Sequence, residues 1–178
     1  MVLGDSLAAA YGISQSSGWV ALLEDRLKQQ GLQYTVVNAS ISGETSAGGR
    51  ARAMPLLERE HPAVLILELG ANDGLRGLPP AQMKANLAAI IEQAQKHGTR
   101  VLLLGMKLPP NYGPEYTQRF EAVFRELQAR YRTGWVPFML EDFATNEELF
   151  QPDRIHPNEK AQPLMLERVW QALRPLLK

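Results

Sequence analysis

Cysteine is absent from this 178-residue chain, which excludes disulfides, thiolate nucleophiles and cysteine-ligated zinc. Net charge is absent as well. Nineteen Lys and Arg balance nineteen Asp and Glu, and no block of one sign stands out, so neither nucleic acid nor an anionic membrane surface is expected as a main partner. No apolar run approaches the length of a bilayer span, so no stable membrane insertion is expected. Histidine is scarce, at three residues, which leaves few claimants for a general base. The remaining composition, 45% hydrophobic and 21% charged, is that of an ordinary globular protein, and the length suits a single domain over 1–178. The chain shows no signal-peptide pattern. Only three residues precede Gly4, whereas a strand usually runs to about five, so further residues are expected upstream.

What is present is a regular alternation of apolar and amphipathic runs. Strands are predicted at Val2–Leu3, Tyr34–Asn38, Ala63–Leu69, Arg100–Met106 and Trp135–Phe138. Helices are predicted at Trp19–Gln30, Ala47–Glu60, Ala81–His97, Glu115–Tyr131 and Glu159–Leu177. The runs at 63–69 and 101–106 are almost continuously apolar, as in strands covered on both faces. Strict β-α alternation implies one parallel sheet between two helical layers, a three-layer α/β/α, flavodoxin-like arrangement. Five strands in the order 2-1-3-4-5 are expected. In such sheets ligands gather beyond the carboxyl ends of the strands. Polar residues collect there after the first three strands: Gly4-Asp5-Ser6, then Asn38 to Gly43, then Gly70-Ala71-Asn72-Asp73.

Ser6 lies where strand is expected to give way to helix, and it is either an N-cap or a nucleophile. The nucleophile reading requires a base and an oxyanion site. His61 reads as a solvated turn residue, and His97 as a helix C-terminal residue facing the dipole. His156 differs, because it lies in the proline-bracketed loop Gln151-Pro-Asp-Arg-Ile-His-Pro157. Asp153, three residues earlier, is placed to orient its Nδ1, although the same Asp could simply cap the turn. For the oxyanion, the Ser6 N–H, the Gly43 N–H and the Asn72 amide are the candidate donors. Turn chemistry offers an alternative account of Asn72-Asp73-Gly74.

Ser6, Gly43, Asn72 and His156, in that order, resemble the four signature residues of the SGNH hydrolases, also called GDSL hydrolases. The name motif stands at Gly4-Asp5-Ser6-Leu7, and the other blocks at Ser42-Gly43-Glu44-Thr45-Ser46, Gly70-Ala71-Asn72-Asp73 and Asp153-Arg154-Ile155-His156-Pro157. The resemblance covers the chain from end to end. Within the family it is similar to the bacterial thioesterase I branch, multifunctional esterases that also act as lysophospholipases and arylesterases. The stretches 36–46, 68–77 and 108–113 carry that likeness. Ala71 and Arg154 are departures, at positions where close relatives often have glycine.

The resemblance implies the SGNH fold and a serine hydrolase that cleaves carboxylic esters and thioesters through an acyl-enzyme. Ser6, Asp153 and His156 would be catalytic, and Ser6, Gly43 and Asn72 would form the oxyanion hole. It also implies a small-molecule acyl substrate, no cofactor, no metal, a monomer, and a periplasmic or secreted location. Leu75, Leu78, Leu108, Pro109 and Tyr112, with Ile155 beside the histidine, are the candidate lining of an acyl groove. The same leucines and prolines would also serve to pack helix ends. Two rival functions stand beside this one: a carbohydrate deacetylase or acyltransferase on the same scaffold, and a non-enzymatic flavodoxin-like binding module.

Overall fold

The computed structural model describes residues 1–177. Four parallel strands, β1 (Val2–Gly4), β2 (Val64–Glu68), β3 (Arg100–Leu104) and β4 (Gly134–Val136), pair in the order β1-β2-β3-β4. Val2 stands opposite Ile66, Ile66 opposite Leu102, and Leu102 opposite Gly134. The helices are α1 (Trp19–Gln29), α2 (Ser46–Glu60), α3 (Ala71–Leu75), α4 (Pro80–Lys96), α5 (Pro114–Tyr131) and α6 (Gln162–Leu173).

Successive strand side chains point to opposite faces, and this period of two divides the interior into two cores. Val2, Val64, Ile66, Leu102, Leu104 and Val136 pack with Trp19, Leu23, Met165 and Val169 of α1 and α6. Leu3, Leu65, Leu67, Val101 and Leu103 pack with Leu57, Ile90, Phe120 and Phe124 of α2, α4 and α5. A sheet covered on both faces buries every position of its central strands, and β2 is buried throughout, apolar from Val64 to Leu67 and ending in Glu68. No helix among the described residues is long and apolar enough to cross a membrane.

The expected strand at Tyr34–Asn38 does not form as a regular strand. The segment does run parallel to β1 on its free side, where the second strand was expected, through one bridge between Val2 and Asn38. Val2 N–H donates to Val37 O (2.8 Å), Ala39 N–H to Val2 O (2.9 Å), and Ile41 N–H to Gly4 O (3.0 Å). The Ala39 carbonyl, which the next rung of the ladder would use, instead accepts from Arg52 Nη2 at 2.8 Å. The lane is occupied, but its ladder is interrupted.

Two short segments also differ from expectation. Ser6 begins a series of turns rather than a helix, with Ala9 N–H bonded to Asp5 O at 3.0 Å and Tyr11 N–H to Ser6 O at 3.2 Å. Asn72, Asp73 and Gly74 belong to the short helix α3 rather than to an isolated turn.

Candidate active site

The carboxyl edge of the sheet gathers four loops. The turn after β1 brings half-buried Ser6, and it is pinned from three directions. Asp5 Oδ1 accepts the Leu7 N–H (3.1 Å), Trp19 Nε1 donates to Leu7 O (3.1 Å), and Asn38 Nδ2 donates to Ala8 O (2.8 Å). The loop from Gln151 to Pro157 brings His156. Its Nε2 lies 2.9 Å from Ser6 Oγ, and its Nδ1 lies 2.7 Å from Asp153 Oδ2.

The spacing of three between Asp153 and His156 closes a tight loop. Asp153 Oδ1 accepts the N–H groups of both Ile155 and His156 at 3.0 Å, which leaves Oδ2 to meet the imidazole. Partial burial works against ionisation of this carboxyl. The two backbone donors and the imidazole outweigh it and hold the group down to about 2. The acid is therefore a carboxylate at neutral pH, fixing Nδ1 as the protonated nitrogen and leaving Nε2 to accept the Ser6 proton. Arg154 adopts a left-handed backbone at φ 58°, a conformation that glycine adopts most readily. The departure from glycine at this position falls on the turn of the loop.

Two residues that support His156 went unassigned in the sequence. The Tyr11 ring packs against the imidazole, with ring centroids 4.5 Å apart at an interplanar angle of 41°. Gln151 Nε2 donates to Tyr11 O (2.8 Å) and to Pro157 O (3.1 Å), tying the serine turn to the histidine loop. Gln151 falls inside the histidine loop that the sequence singled out, but an amide acting through backbone carbonyls and a ring packed on imidazole leave no spacing signature. His61 and His97 are exposed, at the C-terminal ends of α2 and α4.

The loop between Asn38 and α2 brings Gly43. Its φ of 80° requires the left-handed region, where a side chain is strained. Among the described residues neither the Ser6 N–H nor the Gly43 N–H is matched to an acceptor. Helix α3 brings Asn72, whose Nδ2 donates to Asp5 Oδ2 (3.1 Å) and to Glu44 O (3.0 Å). The N-terminus of α2 is locked to α3 through Asp73, which accepts from Ser46 N–H (2.8 Å) and Ser46 Oγ (2.5 Å). The Gly43 loop and Asn72 are thus held together by buried polar contacts.

A cavity of about 590 Å³ opens beside Ser6, Asn72 and His156. This lies within the range of roughly 300–1,000 Å³ usual for small-molecule sites. Of the candidate groove residues, Leu75, Leu108, Pro109 and Ile155 line it. Leu78 and Tyr112 do not. Leu78 is exposed, and Tyr112 turns its hydroxyl to Leu75 O at 2.9 Å and lines a separate cleft with Pro80, Pro114 and Arg119. The far wall comes from Phe138, Leu140, Ala144 and Phe150, in a stretch after β4 that carries no periodic pattern.

A parallel α/β sheet with a Ser-His-Asp hydrogen-bond chain at its carboxyl edge defines the hydrolase class of protein. The chain belongs to the GDSL-like lipase/acylhydrolase family, whose model matches residues 2–163. It is 52% identical over 177 residues to the esterase TesA of Pseudomonas aeruginosa, covering 99% of this chain and 88% of that protein. It is 39% identical to thioesterase 1/protease 1/lysophospholipase L1 of Escherichia coli, covering 99% of this chain and 84% of that one. Among solved structures, the psychrotrophic esterase EstA from Pseudoalteromonas sp., inhibited by monoethylphosphonate, superposes with a TM-score of 0.94. That match has 40% identity and covers 99% and 96% of the two chains.

Proposed function

We propose that this protein is a serine esterase and thioesterase that prefers medium or long acyl groups and acts on acyl thioesters, lysophospholipids and aryl esters. The observation that carries the reading is the chain Asp153–His156–Ser6, at 2.7 and 2.9 Å, opening onto an apolar cavity. In this reading Ser6 Oγ attacks the acyl carbon while His156 Nε2 takes its proton. His156 then returns the proton to the leaving alcohol or thiol. The Ser6 and Gly43 N–H groups hold the oxyanion. Asn72 joins them by redirecting the hydrogen now given to the neutral Glu44 carbonyl, because a charged acceptor forms the stronger bond. Water, activated by His156, then hydrolyses the acyl-enzyme. The scheme needs neither metal nor organic cofactor.

The working unit in this reading is one domain acting as a monomer in the periplasm or outside the cell. The location rests on family resemblance. The decisive experiment is a hydrolysis panel over acyl length, run with paired oxygen esters and thioesters. Rates should climb from acetyl to longer chains with both leaving groups. A preference for acetylated sugars would select the deacetylase alternative, and no turnover of any ester would select a binding module.

A further inference from the structure

Beneath Ser6 lies a pair of acids that the proposed reaction does not use. Asp5 is 0% exposed and Glu68, the last residue of β2, is 3% exposed. Their side chains hydrogen-bond to each other, and among the described residues no lysine or arginine is bonded to either. Two carboxyl groups in direct contact need a proton between them, since like charges this close and this buried do not both ionise. Glu68 Oε2 accepts the Asp5 N–H at 3.1 Å. Asp5 spends both its oxygens on the site: Oδ1 on the Leu7 N–H and Oδ2 on Asn72 Nδ2. The chain of contacts runs from Glu68 through Asp5 to the serine turn and to the candidate oxyanion amide.

The glycine that opens the Gly-Asp-Ser-Leu motif has the same origin. A Cβ at Gly4 would stand 2.6 Å from Glu68 Oε2 and 3.0 Å from the Ala8 Cβ. The motif's first residue leaves room for an acid 64 positions away along the chain.

We propose that Glu68 is a positioning residue. As the neutral acid it donates to Asp5, and so keeps Asp5 an acceptor that aims one Asn72 hydrogen, while the other, now given to Glu44 O, is the one that turns to the oxyanion. Burial raises both groups, Asp5 to about 6 and Glu68 well above the ordinary carboxyl range. Asp5 is restrained by the hydrogen bonds it takes from the Leu7 N–H, from Glu68 and from the Asn72 amide. The proton therefore resides on Glu68 at neutral pH. The inference rests on the reading of Ser6 as nucleophile, and Ser6→Ala tests that reading separately: if it keeps activity, the parent reading fails whatever Glu68 does.

The test compares Glu68→Leu with Glu68→Gln. The leucine removes the donor to Asp5 and should lower kcat by about tenfold or more, because Asp5 is left an underbonded buried carboxylate. KM should stay close to wild type. The glutamine keeps both a donor for Asp5 and an acceptor for the Asp5 N–H, and should restore most of kcat. A folded glutamine variant as impaired as the leucine variant would overturn the proposal, as would a folded leucine variant with full kcat. If the leucine variant does not fold, Asp5→Asn carries the test, since it keeps shape while placing a donor against Asn72 Nδ2 or the Leu7 N–H. Lost kcat with KM held supports the proposal, and full kcat overturns it.

Discussion

At the scale of single residues, the question is which polar atoms are free to act. Among the described residues the Ser6 and Gly43 N–H groups meet no acceptor, whereas Asn72 divides its amide between Asp5 and Glu44. Removing that amide should lower kcat by about 10²–10³, the usual scale for one oxyanion donor, with little change in KM. Steady-state kinetics on Asn72→Ala checks this, and a structural Asn72 would show lost stability with kcat intact. Likewise His156→Ala should nearly abolish turnover, while His61→Ala and His97→Ala, at exposed helix ends, should stay close to wild type. An inactive but folded His97 variant would contradict the assignment of the base. The three histidines were separable in the sequence because His61 and His97 have structural accounts in a turn and at a helix end, whereas His156 lies in a proline-bracketed loop with Asp153 three residues before it. Tyr11 and Gln151 were not, because a ring packed on imidazole and an amide reaching two carbonyls obey no local rule.

At the scale of elements, apolar period read the layers well and irregular chain poorly. The runs at 63–69 and 101–106 announced β2 and β3, and the amphipathic patterns gave α1, α2, α4 and α5 to within a residue or so. The serine turn was expected as helix because of its alanines, but the Asp5 carboxylate takes the Leu7 N–H and two further side-chain contacts, from Trp19 and Asn38, fix a non-helical path. The groove was half legible. The loops after β2 and β3 were visible as apolar and proline-rich, whereas Phe138, Leu140 and Phe150 fold in from a stretch without period. This division yields a paired prediction. Leu108 lines the cavity and is 8% exposed, while Leu78 is 37% exposed and lies outside it. Each buried methylene of the acyl chain is worth about 0.8 kcal/mol at most, so Leu108→Asp should depress kcat/KM for long acyl esters far more than for acetyl. Leu78→Asp should leave the chain-length profile unchanged. Equal losses at every chain length in Leu108→Asp would remove the groove from the account.

At the scale of the whole molecule, the buried acid pair couples stability to pH. The folded chain holds the Asp5 proton up to about 6 and the Glu68 proton higher still, whereas an unfolded chain releases them near 4. A raised acid contributes its stability in full below the unfolded value and loses it as pH rises through the folded one. Asp153 is lowered to about 2 and acts the other way, contributing above the unfolded value and losing it as pH falls toward 2. The urea midpoint of the wild type should therefore gain on that of Glu68→Gln, which has no proton to release, as pH drops from 8 to about 5. The Met1 ammonium, lowered to about 6 by burial, opposes the rise between pH 8 and 6 in both proteins. Wild-type and variant midpoints that run parallel across this window would contradict the pairing.

The central claim is that Ser6, backed by His156 and Asp153, is the single nucleophile at this edge of the sheet. Intact-mass and peptide analysis after treatment with a fluorophosphonate tests it most directly. The account predicts one adduct, on the peptide containing Ser6, loss of esterase activity in step with labelling, and no adduct in Ser6→Ala. Labelling at Ser42 or Ser46, or hydrolysis that survives in Ser6→Ala, would contradict it.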